Sequence, residues 1–160
     1  MNGPTTRALL DRLARRGQTL GIAESLTGGA LTAAIVAVPG ASRVLRGGVI
    51  AYAREVKAGV LGVPDHLITA RGTVDPQVAV AMASGVCRVL GCDIGLATTG
   101  VAGPESADGK PVGTAFVAVV VAGRSSRVRR VFLPGDRQAV RAGVVTAALD
   151  LAALVLLPAR

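Results

Sequence analysis

The segment Gly113-Thr-Ala-Phe-Val-Ala-Val-Val-Val-Ala122 decides the fold class of this chain. It is almost continuously apolar, which is typical of a strand that is buried on both faces of a sheet. A short turn at Gly123-Arg-Ser125 follows, and Ser126–Leu133 reads as a second strand, so the two strands predict an antiparallel hairpin. A sheet that is covered on both faces needs helices above and below it, which predicts an α/β protein.

Helical and extended patterns alternate along the rest of the chain. We predict three further strands at Thr19–Glu24, Gly47–Tyr52 and Asp93–Thr99, and helices at Thr5–Arg16, Leu26–Val38, Arg54–Leu61, Asp75–Leu90 and Asp136–Leu156. The chain is therefore predicted to form one domain over residues 1–160, a three-layer α/β/α sandwich with a mixed, mostly parallel five-stranded sheet. Ligands of such sheets bind beyond the carboxyl ends of the strands.

The composition favours a globular core of small aliphatic residues. Of the 160 residues, 51% are hydrophobic but only 2% are aromatic, so Ala, Val and Leu must fill the interior. The start of the chain lacks the basic-then-apolar pattern of a signal peptide. The apolar stretch Val112–Gly123 is too short to cross a bilayer, and Gly143–Leu157 is interrupted by Asp150. We therefore expect a cytoplasmic protein without a membrane partner.

The net charge of +8 favours anionic partners, either nucleic acids or small molecules. Many of the cations fall in two arginine clusters, at Arg7–Arg16 and Arg124–Arg130. No aromatic residues accompany these clusters to stack on bases, so nucleic acid is disfavoured as a partner.

A metal centre and a histidine-based triad are both poorly supported. His66 is the only histidine, and it follows Pro64-Asp65 in a segment that reads as a surface loop or a helix start. Cys87 and Cys92 lie on and just past one predicted helix, without a histidine or carboxylate at ligand spacing. We therefore expect neither a metal nor a cofactor.

The segment Gly21-Ile-Ala-Glu-Ser-Leu-Thr-Gly-Gly29 runs from an apolar strand into a helix through small residues. It places Ser25 at the end of the strand and turns the amides that follow outward, where they can bind an anion or an oxyanion. A simpler alternative is that Ser25 only caps the helix and that the glycines only permit close contacts. The predicted binding residues of this segment are Thr27, Gly28 and Gly29.

The segment Gly47-Gly-Val-Ile-Ala-Tyr-Ala-Arg-Glu-Val-Lys57 passes from a strand end into a helix that aims Lys57 back toward the same edge. A serine nucleophile needs a base, and without a suitable histidine a neutral lysine is the obvious substitute. Burial and neighbouring positive charge lower the pKa of a lysine, whereas arginine stays protonated. The alternatives are a solvated charge for Lys57 and a core aromatic with its hydroxyl at the rim for Tyr52.

Two further segments reach this edge. Ala97-Thr-Thr-Gly-Val-Ala-Gly-Pro104 ends a strand with Thr99 and Gly100 in a glycine-rich turn, where hydroxyls and free amides suit phosphate or amide contacts. The last helix carries Arg137 and Arg141 four residues apart on one face, and either guanidinium could fork onto a phosphate. An ordinary turn and a solvated helix start are the alternatives.

These spaced motifs, in this order, resemble the CinA C-terminal domain family over nearly the whole chain, from about Leu9 to Leu156. Several motifs in order are far more specific than any one of them. The motifs are Ala23-Glu-Ser-Leu-Thr-Gly-Gly29, Val38-Pro-Gly-Ala-Ser42, Arg46-Gly-Gly-Val-Ile-Ala-Tyr52, Lys57 with Leu61-Gly-Val63, Thr99-Gly-Val-Ala-Gly-Pro104, Lys110-Pro-Val-Gly-Thr114 and Pro134-Gly-Asp-Arg137.

Characterised members of this family include stand-alone nicotinamide-nucleotide amidohydrolases that use serine and lysine without a metal. The resemblance implies hydrolysis of the carboxamide of nicotinamide mononucleotide to nicotinic acid mononucleotide and ammonia, a step of pyridine nucleotide recycling. It implies that Ser25 is the nucleophile and Lys57 the general base. It also implies that Tyr52 and Thr99 are polar groups of the active site and that Arg137 contacts the phosphate or another part of the substrate. The fold of the family agrees with the sandwich predicted from the strand patterns.

Three departures from the usual family pattern bear on function. Ala53-Arg54 stands where Ser-Asn is usual, Gly72-Thr-Val-Asp75 replaces Gly-x-Val-Ser, and Glu105-Ser-Ala-Asp108 replaces glycines. Asp75 can still cap a helix, but a carboxylate in the last segment can alter how a phosphate is bound. The changes at Ala53-Arg54 and Glu105-Ser106 leave open a non-catalytic nucleotide-binding or regulatory module, and the basic charge leaves a nucleic-acid-binding protein as the less favoured alternative.

The last helix and the hairpin also bear on assembly. Both are apolar enough to form a subunit interface, and we expect a homo-oligomer, a dimer or a larger assembly. The same residues could instead be plain core.

Overall fold

The computed structural model describes residues 3–157, and residues 3 and 4 by their backbone alone. Residues 1–2 and 158–160 of the predicted domain lie outside the described residues. Strands and helices alternate, with a short 3₁₀ helix at Ala41–Arg43. The strands are β1 Leu20–Glu24, β2 Leu45–Ile50, β3 Ile94–Gly100, β4 Thr114–Val121 and β5 Ser125–Phe132. The helices are α1 Gly3–Arg15, α2 Ala30–Val36, α3 Arg54–Gly59, α4 Asp65–Arg71, α5 Pro76–Leu90 and α6 Arg137–Leu156.

The sheet confirms the predicted fold class. Its strand order is β2-β1-β3-β4-β5. Strand β1 pairs in parallel with β2 and β3, whereas β4 runs antiparallel to both β3 and β5. Four of the five strands therefore end at the same edge, where Glu24 lies opposite both Ile50 and Thr98. The β4–β5 hairpin forms as predicted, with β4 buried on both faces and β5 exposed at the border of the sheet.

Two apolar cores, one on each face of the sheet, hold the three layers together. One core joins α1, α2 and α6 to the sheet, and its buried residues include Leu13, Ile22, Leu31, Leu96, Val117 and Val144. The other joins α5 and the segments around α3 and α4 to the opposite face, and its buried residues include Leu61, Ile68, Met82, Val86, Ala97 and Phe116. Each such Leu, Ile, Val or Met contributes roughly 1.5–3 kcal/mol on full burial.

Two glycines let helix α5 pack closely, one against the sheet and one against the segment between α3 and α4. A Cβ on Gly95 of β3 would overlap the carbonyl oxygen of Ala83 in α5. A Cβ on Gly85 of α5 would overlap the carbonyl oxygen of Leu61, in the segment between α3 and α4. The absence of a side chain at both positions lets backbone meet backbone, which suits a core with few large residues.

Several predicted element boundaries differ from the structure, and α1 begins at Gly3, two residues earlier than predicted. Helix α2 begins at Ala30 rather than Leu26, because residues 25–29 form turns. Ser25 therefore does not cap α2, and that alternative is wrong. Helix α4 is not among the predicted helices, but it begins at Asp65, so the segment of His66 is a helix start rather than a loop.

Helix α6 is long and apolar enough, by length and composition alone, to cross a membrane. One face of the helix, with Val140, Val144, Ala148 and Leu151, is buried in the core that includes α1. A helix with one face buried in this way is typical of the core of a globular domain. Asp136 is the N-cap of the helix, since its carboxylate accepts a hydrogen bond from the amide of Ala139 at 2.8 Å.

Candidate active site

Ser25 lies directly after β1, at the edge where the parallel strands end. Its amide donates to the carbonyl oxygen of Thr98 at 3.1 Å, which extends the pairing of β1 and β3 by one residue. Only 8% of Ser25 is exposed. The strand pairing therefore fixes the position of the Ser25 backbone, and burial restricts the side chain that carries the hydroxyl.

Lys57 reaches Ser25 from α3, as predicted from the spacing of the second segment. Its Nζ lies 3.0 Å from Ser25 Oγ, 2.7 Å from the carbonyl oxygen of Ala51 and 3.0 Å from that of Tyr52. The side chain is 1% exposed. The alternative of a solvated charge on the helix face is therefore wrong.

The surroundings of Lys57 favour its neutral form. Burial lowers the pKa of Lys57 from 10.5 to about 8, against an opposing attraction from Asp108. At this pKa roughly a tenth of the amine is neutral at pH 7. A neutral amine has two N–H groups and one lone pair, and the carbonyl oxygens of Ala51 and Tyr52 can only accept. When both take an N–H, the lone pair is left for the hydroxyl of Ser25.

The turn from Ser25 to Gly29 connects β1 to α2. Gly28 and Gly29 have φ values of 58° and 97°, a conformation that favours glycine and explains the pair. The amide of Gly28 donates to the carbonyl oxygen of Ser25 at 3.1 Å. Among the residues that the structure describes, the amides of Leu26 and Thr27 have no acceptor. They are therefore the two amides of this turn that no group of the described residues occupies.

Glu24 occupies the amides at the start of α2. Its carboxylate, which is fully buried, accepts from the amides of Gly29 and Leu31 at 3.0 Å each. It also accepts from the amide of Thr32 at 2.8 Å and from the hydroxyl of Thr32 at 2.6 Å. Contrary to expectation, the structure does not leave the amide of Gly29 to an external anion.

Arg141 contacts the same turn from α6. Its Nε donates to the carbonyl oxygen of Leu26 at 3.0 Å, and its terminal nitrogen donates to that of Thr27 at 2.8 Å. The hydroxyl of Thr27 pairs with that of Thr98 at 2.8 Å, beneath the surface. Both predicted binding side chains, Thr27 and Arg141, are thus engaged in holding the turn.

Tyr52 and Arg137 form the rim of the site. A terminal nitrogen of Arg137 donates to the Tyr52 hydroxyl at 3.0 Å, and the other donates to the carbonyl oxygen of Gly103 at 2.7 Å. Tyr52 is 61% exposed, so the alternative of a core aromatic is wrong. The pair places a cation and an exposed ring at the residue whose carbonyl oxygen accepts from Lys57.

Thr99 and Gly100 make contacts with neighbouring backbone rather than facing the site. The hydroxyl of Thr99, itself buried, donates to the carbonyl oxygen of Thr73 at 2.7 Å. A Cβ on Gly100 would overlap strand β4, so this glycine permits close strand pairing. The carboxylate of Asp108 accepts from the amide and hydroxyl of Thr73 and from the amide of Val74, which ties the loop over residues 101–113 to the start of α5.

Three polar residues of the site, Glu24, Thr98 and Asp108, are not among the predicted site residues, although Glu24 and Thr98 end strands at the predicted edge. Glu24 does carry a signal, because an acidic residue that ends an apolar strand needs N–H partners once it is buried, and a nearby helix start supplies them. Asp108 stands out only as a departure from the family pattern. Its contacts with Thr73 join positions 35 residues apart, which no local pattern shows.

The two basic clusters and two of the cavities lie away from Ser25. A cavity of about 200 Å³ is lined by Arg12 of α1, by Arg16, which follows α1, and by Arg124 of the hairpin, so the two clusters meet. It lies by Val121, at the edge opposite to the candidate site. A second cavity, of about 660 Å³, lies between β5 and α6 and contains no predicted site residue. Among residues 3–157, no three His, Cys, Asp or Glu side chains lie together in a way that could hold a metal ion.

Comparisons with known proteins agree on one family. Residues 3–156 match the model of the CinA C-terminal domain. A CinA-like protein of Frankia casuarinae is 50% identical over 144 residues, which cover 89% of this chain and 33% of the relative. A CinA-like protein of Gemmatimonas aurantiaca is 49% identical over 143 residues, with the same shares. The chain thus spans about a third of the length of these curated relatives.

A solved structure gives the same result. A competence-damaged protein (CinA) superfamily protein from Klebsiella pneumoniae superimposes with a TM-score of 0.91 at 32% identity, over 96% of both chains. A competence/damage inducible protein from Agrobacterium tumefaciens superimposes with a TM-score of 0.90 at 28% identity. The match of the family model, the identity with relatives and the shared fold lead to one conclusion, that this chain belongs to the CinA C-terminal domain family.

Proposed function

We propose that this protein hydrolyses the carboxamide of nicotinamide mononucleotide to nicotinic acid mononucleotide and ammonia, with Ser25 as nucleophile and Lys57 as general base. The observation that carries the proposal is the 3.0 Å contact between Lys57 Nζ and Ser25 Oγ. Both other partners of the amine are carbonyl oxygens, so its lone pair is directed at the one hydroxyl it touches. This arrangement activates a serine in the absence of histidine.

The reaction has two halves. Ser25 Oγ attacks the carboxamide carbon while neutral Lys57 takes the hydroxyl proton, and the oxyanion forms near the amides of Leu26 and Thr27. Protonated Lys57 then gives its proton to the leaving nitrogen, the C–N bond breaks and ammonia departs, which leaves an acyl ester on Ser25. Water attacks the ester with Lys57 as base, the acid product leaves, and the proton returns to Ser25 Oγ.

The rim suits the rest of the substrate. A mononucleotide carries a phosphate, and Arg137, which contacts Tyr52, offers a guanidinium that is held in position by the carbonyl oxygen of Gly103. Tyr52 is exposed beside it and shares its hydroxyl with the same guanidinium. We assign Tyr52 and Arg137 to substrate binding at this rim.

The test is ammonia release from nicotinamide mononucleotide by the purified protein, with the acid product identified by chromatography. Wild type should turn over, and Ser25→Ala and Lys57→Ala should each lose at least about a hundredfold in kcat. Ser84→Ala, on α5 and away from the site, is the matched control and should keep wild-type activity. Full activity in Ser25→Ala would end the assignment of the nucleophile. Tight binding of the mononucleotide by wild type without turnover would instead identify a non-catalytic nucleotide-binding module.

A further inference from the structure

The turn from Ser25 to Gly29 is held from two sides. On one side Arg141 donates to the carbonyl oxygens of Leu26 and Thr27, at 3.0 and 2.8 Å. On the other side the buried carboxylate of Glu24 accepts the amide of Gly29 and further donors from the start of α2. The two residues come from elements far apart in the chain, since Arg141 lies 115 positions after Leu26.

The contacts of Arg141 decide where the amides of the turn point. In a trans peptide unit the C=O and the N–H point in opposite directions. When Arg141 holds the carbonyl of Leu26, the amide of Thr27, which belongs to the same peptide unit, must point away from α6. The carbonyl oxygen of Thr27 accepts from Arg141 and also from the amide of Ala30 at 3.2 Å, and these contacts set the direction of the Gly28 amide, which donates to the carbonyl oxygen of Ser25. The carbonyl of Ser25 shares a peptide unit with the amide of Leu26, so this last contact sets the direction of the Leu26 amide.

Glu24 occupies the amides at the start of α2, so these amides are not available to bind an anion. A carboxylate that accepts four hydrogen bonds while fully buried fixes the start of α2 and consumes the amides there. Thr27 is also fully buried, yet its amide has no acceptor among residues 3–157. A buried amide without an acceptor costs about 1–3 kcal/mol, so a turn that keeps one needs outside support.

The edge of the Arg141 guanidinium that carries Nε and the adjacent terminal nitrogen is already filled by these carbonyls. The same edge of a guanidinium can bind a phosphate through two parallel hydrogen bonds. The sequence prediction of Arg141 as a substrate contact therefore fits its contacts less well than a role in shaping the turn. Arg137, whose donors reach the rim, remains the better candidate for the substrate.

We propose that Arg141 and Glu24 are positioning residues, which together keep the amides of Leu26 and Thr27 directed at the oxyanion of the reaction. The effect of these two residues on the reaction rests on the amidase activity proposed above. We call the contacts of Arg141 with the carbonyls of Leu26 and Thr27, together with those of Glu24 with the start of α2, the brace. The brace is a property of the turn and can be measured without turnover.

The kinetic experiment compares Arg141→Lys with Arg137→Lys on nicotinamide mononucleotide. A lysine at position 141 keeps the positive charge but cannot reach two carbonyls with a planar fork. For Arg141→Lys we expect kcat to fall about 30- to 300-fold, near the effect of losing an oxyanion donor, with KM within about twofold of wild type. For Arg137→Lys we expect the opposite pattern, a KM raised about tenfold with a smaller change in kcat. A raised KM with retained kcat in Arg141→Lys would overturn the positioning role.

The spectroscopic experiment follows the amide signals of Thr27 and Gly28 in a ¹H–¹⁵N spectrum of Arg141→Lys and of Glu24→Gln. Loss of a donor to a carbonyl changes the polarisation of the same peptide unit, so the Arg141 variant should shift both signals. Glu24→Gln keeps the shape of the side chain but places an NH₂ group against N–H donors, so it should shift the signals of Gly29 and Leu31. The amide of Ala83 in α5 serves as the reference signal and should stay in place. Arg141 is half-buried on the helix face, so its variant is expected to fold, and thermal unfolding checks this.

The amide signals and the kinetics together distinguish a failure of the brace from a failure of the proposed amidase activity. Unmoved signals of Thr27 and Gly28 in folded Arg141→Lys overturn the brace, whatever the kinetics show. Shifted signals in a protein whose wild type releases no ammonia end the proposed activity and leave the brace standing as a feature of the turn.

Discussion

Lys57 Nζ lies 3.0 Å from Ser25 Oγ, although the two residues stand 32 positions apart and come from different elements. Ser25 is fixed by the pairing of β1 with β3, and Lys57 projects from α3, which follows the neighbouring strand β2. The contact therefore depends on the parallel pairing of β1 with β2, which brings both strand ends to one edge. The sheet order and the helix that follows β2 together bring the proposed base to the proposed nucleophile.

The first prediction concerns the charge at position 57. Lys57→Arg keeps a cation but removes the base, because a guanidinium stays protonated at any pH the protein tolerates. We expect kcat to fall about 10²- to 10⁴-fold, as for loss of a general base. Ammonia release at pH 8 measures this. Activity of Lys57→Arg within a few-fold of wild type would show that the charge of position 57 matters and its basicity does not.

The second prediction follows from the pKa of Lys57, which burial lowers to about 8. The neutral amine is the active form, so kcat/KM for the mononucleotide should rise about tenfold per pH unit below 7 and level off above about pH 9. The same shift affects stability. Folded Lys57 releases its proton near pH 8 and the unfolded residue near 10.5, so the contribution of Lys57 to the free energy of unfolding should increase as pH rises through this window. A rate that is flat from pH 6 to 10 would contradict the assignment of Lys57 as base.

The sequence allows prediction of the sheet, its hairpin and the edge where the site lies, because strand burial and strand direction leave local patterns. Ser25 and Lys57 are predicted because a strand end and a following helix place them relative to the same edge. The brace of Glu24 and Arg141 is not predicted. The start of α2 depends on a carboxylate that folds back on it, and the contact of Arg141 depends on the docking of the last helix, which local patterns do not describe.

Roles of individual side chains are also beyond the sequence. Thr99 matches the family motif, yet its hydroxyl is directed at the carbonyl oxygen of Thr73, 26 positions away. Tyr52 can be read equally as a core aromatic or as a site residue, and its exposure in the fold and its contact with Arg137, 85 residues later, decide between them. Side-chain direction is set by packing between elements, and a single sequence carries no direct record of that packing.

The third prediction tests the pair formed by Tyr52 and Arg137. Tyr52→Phe removes the hydroxyl that accepts from Arg137 and should lower kcat/KM about tenfold, mainly through KM, since a hydrogen bond to a charged group contributes about 1.5–3 kcal/mol. Arg137→Ala should have a larger effect in the same direction. Steady-state kinetics of both single variants and the double variant measure the coupling. Because the two side chains act through one contact, the double variant should lose less than the product of the single losses. Fully multiplicative losses would indicate that the two residues act independently.

The fourth prediction concerns Asp108, whose charge acts on Lys57 while its carboxylate ties the loop over residues 101–113 to Thr73. The attraction of Asp108 raises the pKa of Lys57, so removal of the charge in Asp108→Asn should lower that pKa further. The rising limb of the pH profile should then move toward lower pH, with a loss of about 1–3 kcal/mol in the free energy of unfolding from weakened contacts to Thr73. The profile of kcat/KM from pH 5 to 10 and denaturant unfolding measure the two effects. A limb that moves toward higher pH would contradict the electrostatic role of Asp108.

The fifth prediction compares two glycines inside helices. Helix propensity alone favours alanine over glycine by about 1 kcal/mol at both positions. At Gly85 of α5 the added Cβ would overlap the backbone carbonyl of Leu61, which cannot move without shifting the chain that leads into α4, so Gly85→Ala should destabilise the protein by about 1–3 kcal/mol. At Gly143 of α6 the Cβ would meet the flexible side chain of Leu133 at 2.9 Å, so Gly143→Ala should be near neutral. Urea unfolding of both variants measures the difference. A stabilising Gly85→Ala would mean that α5 does not lie as close to the Leu61 backbone as the structure places it.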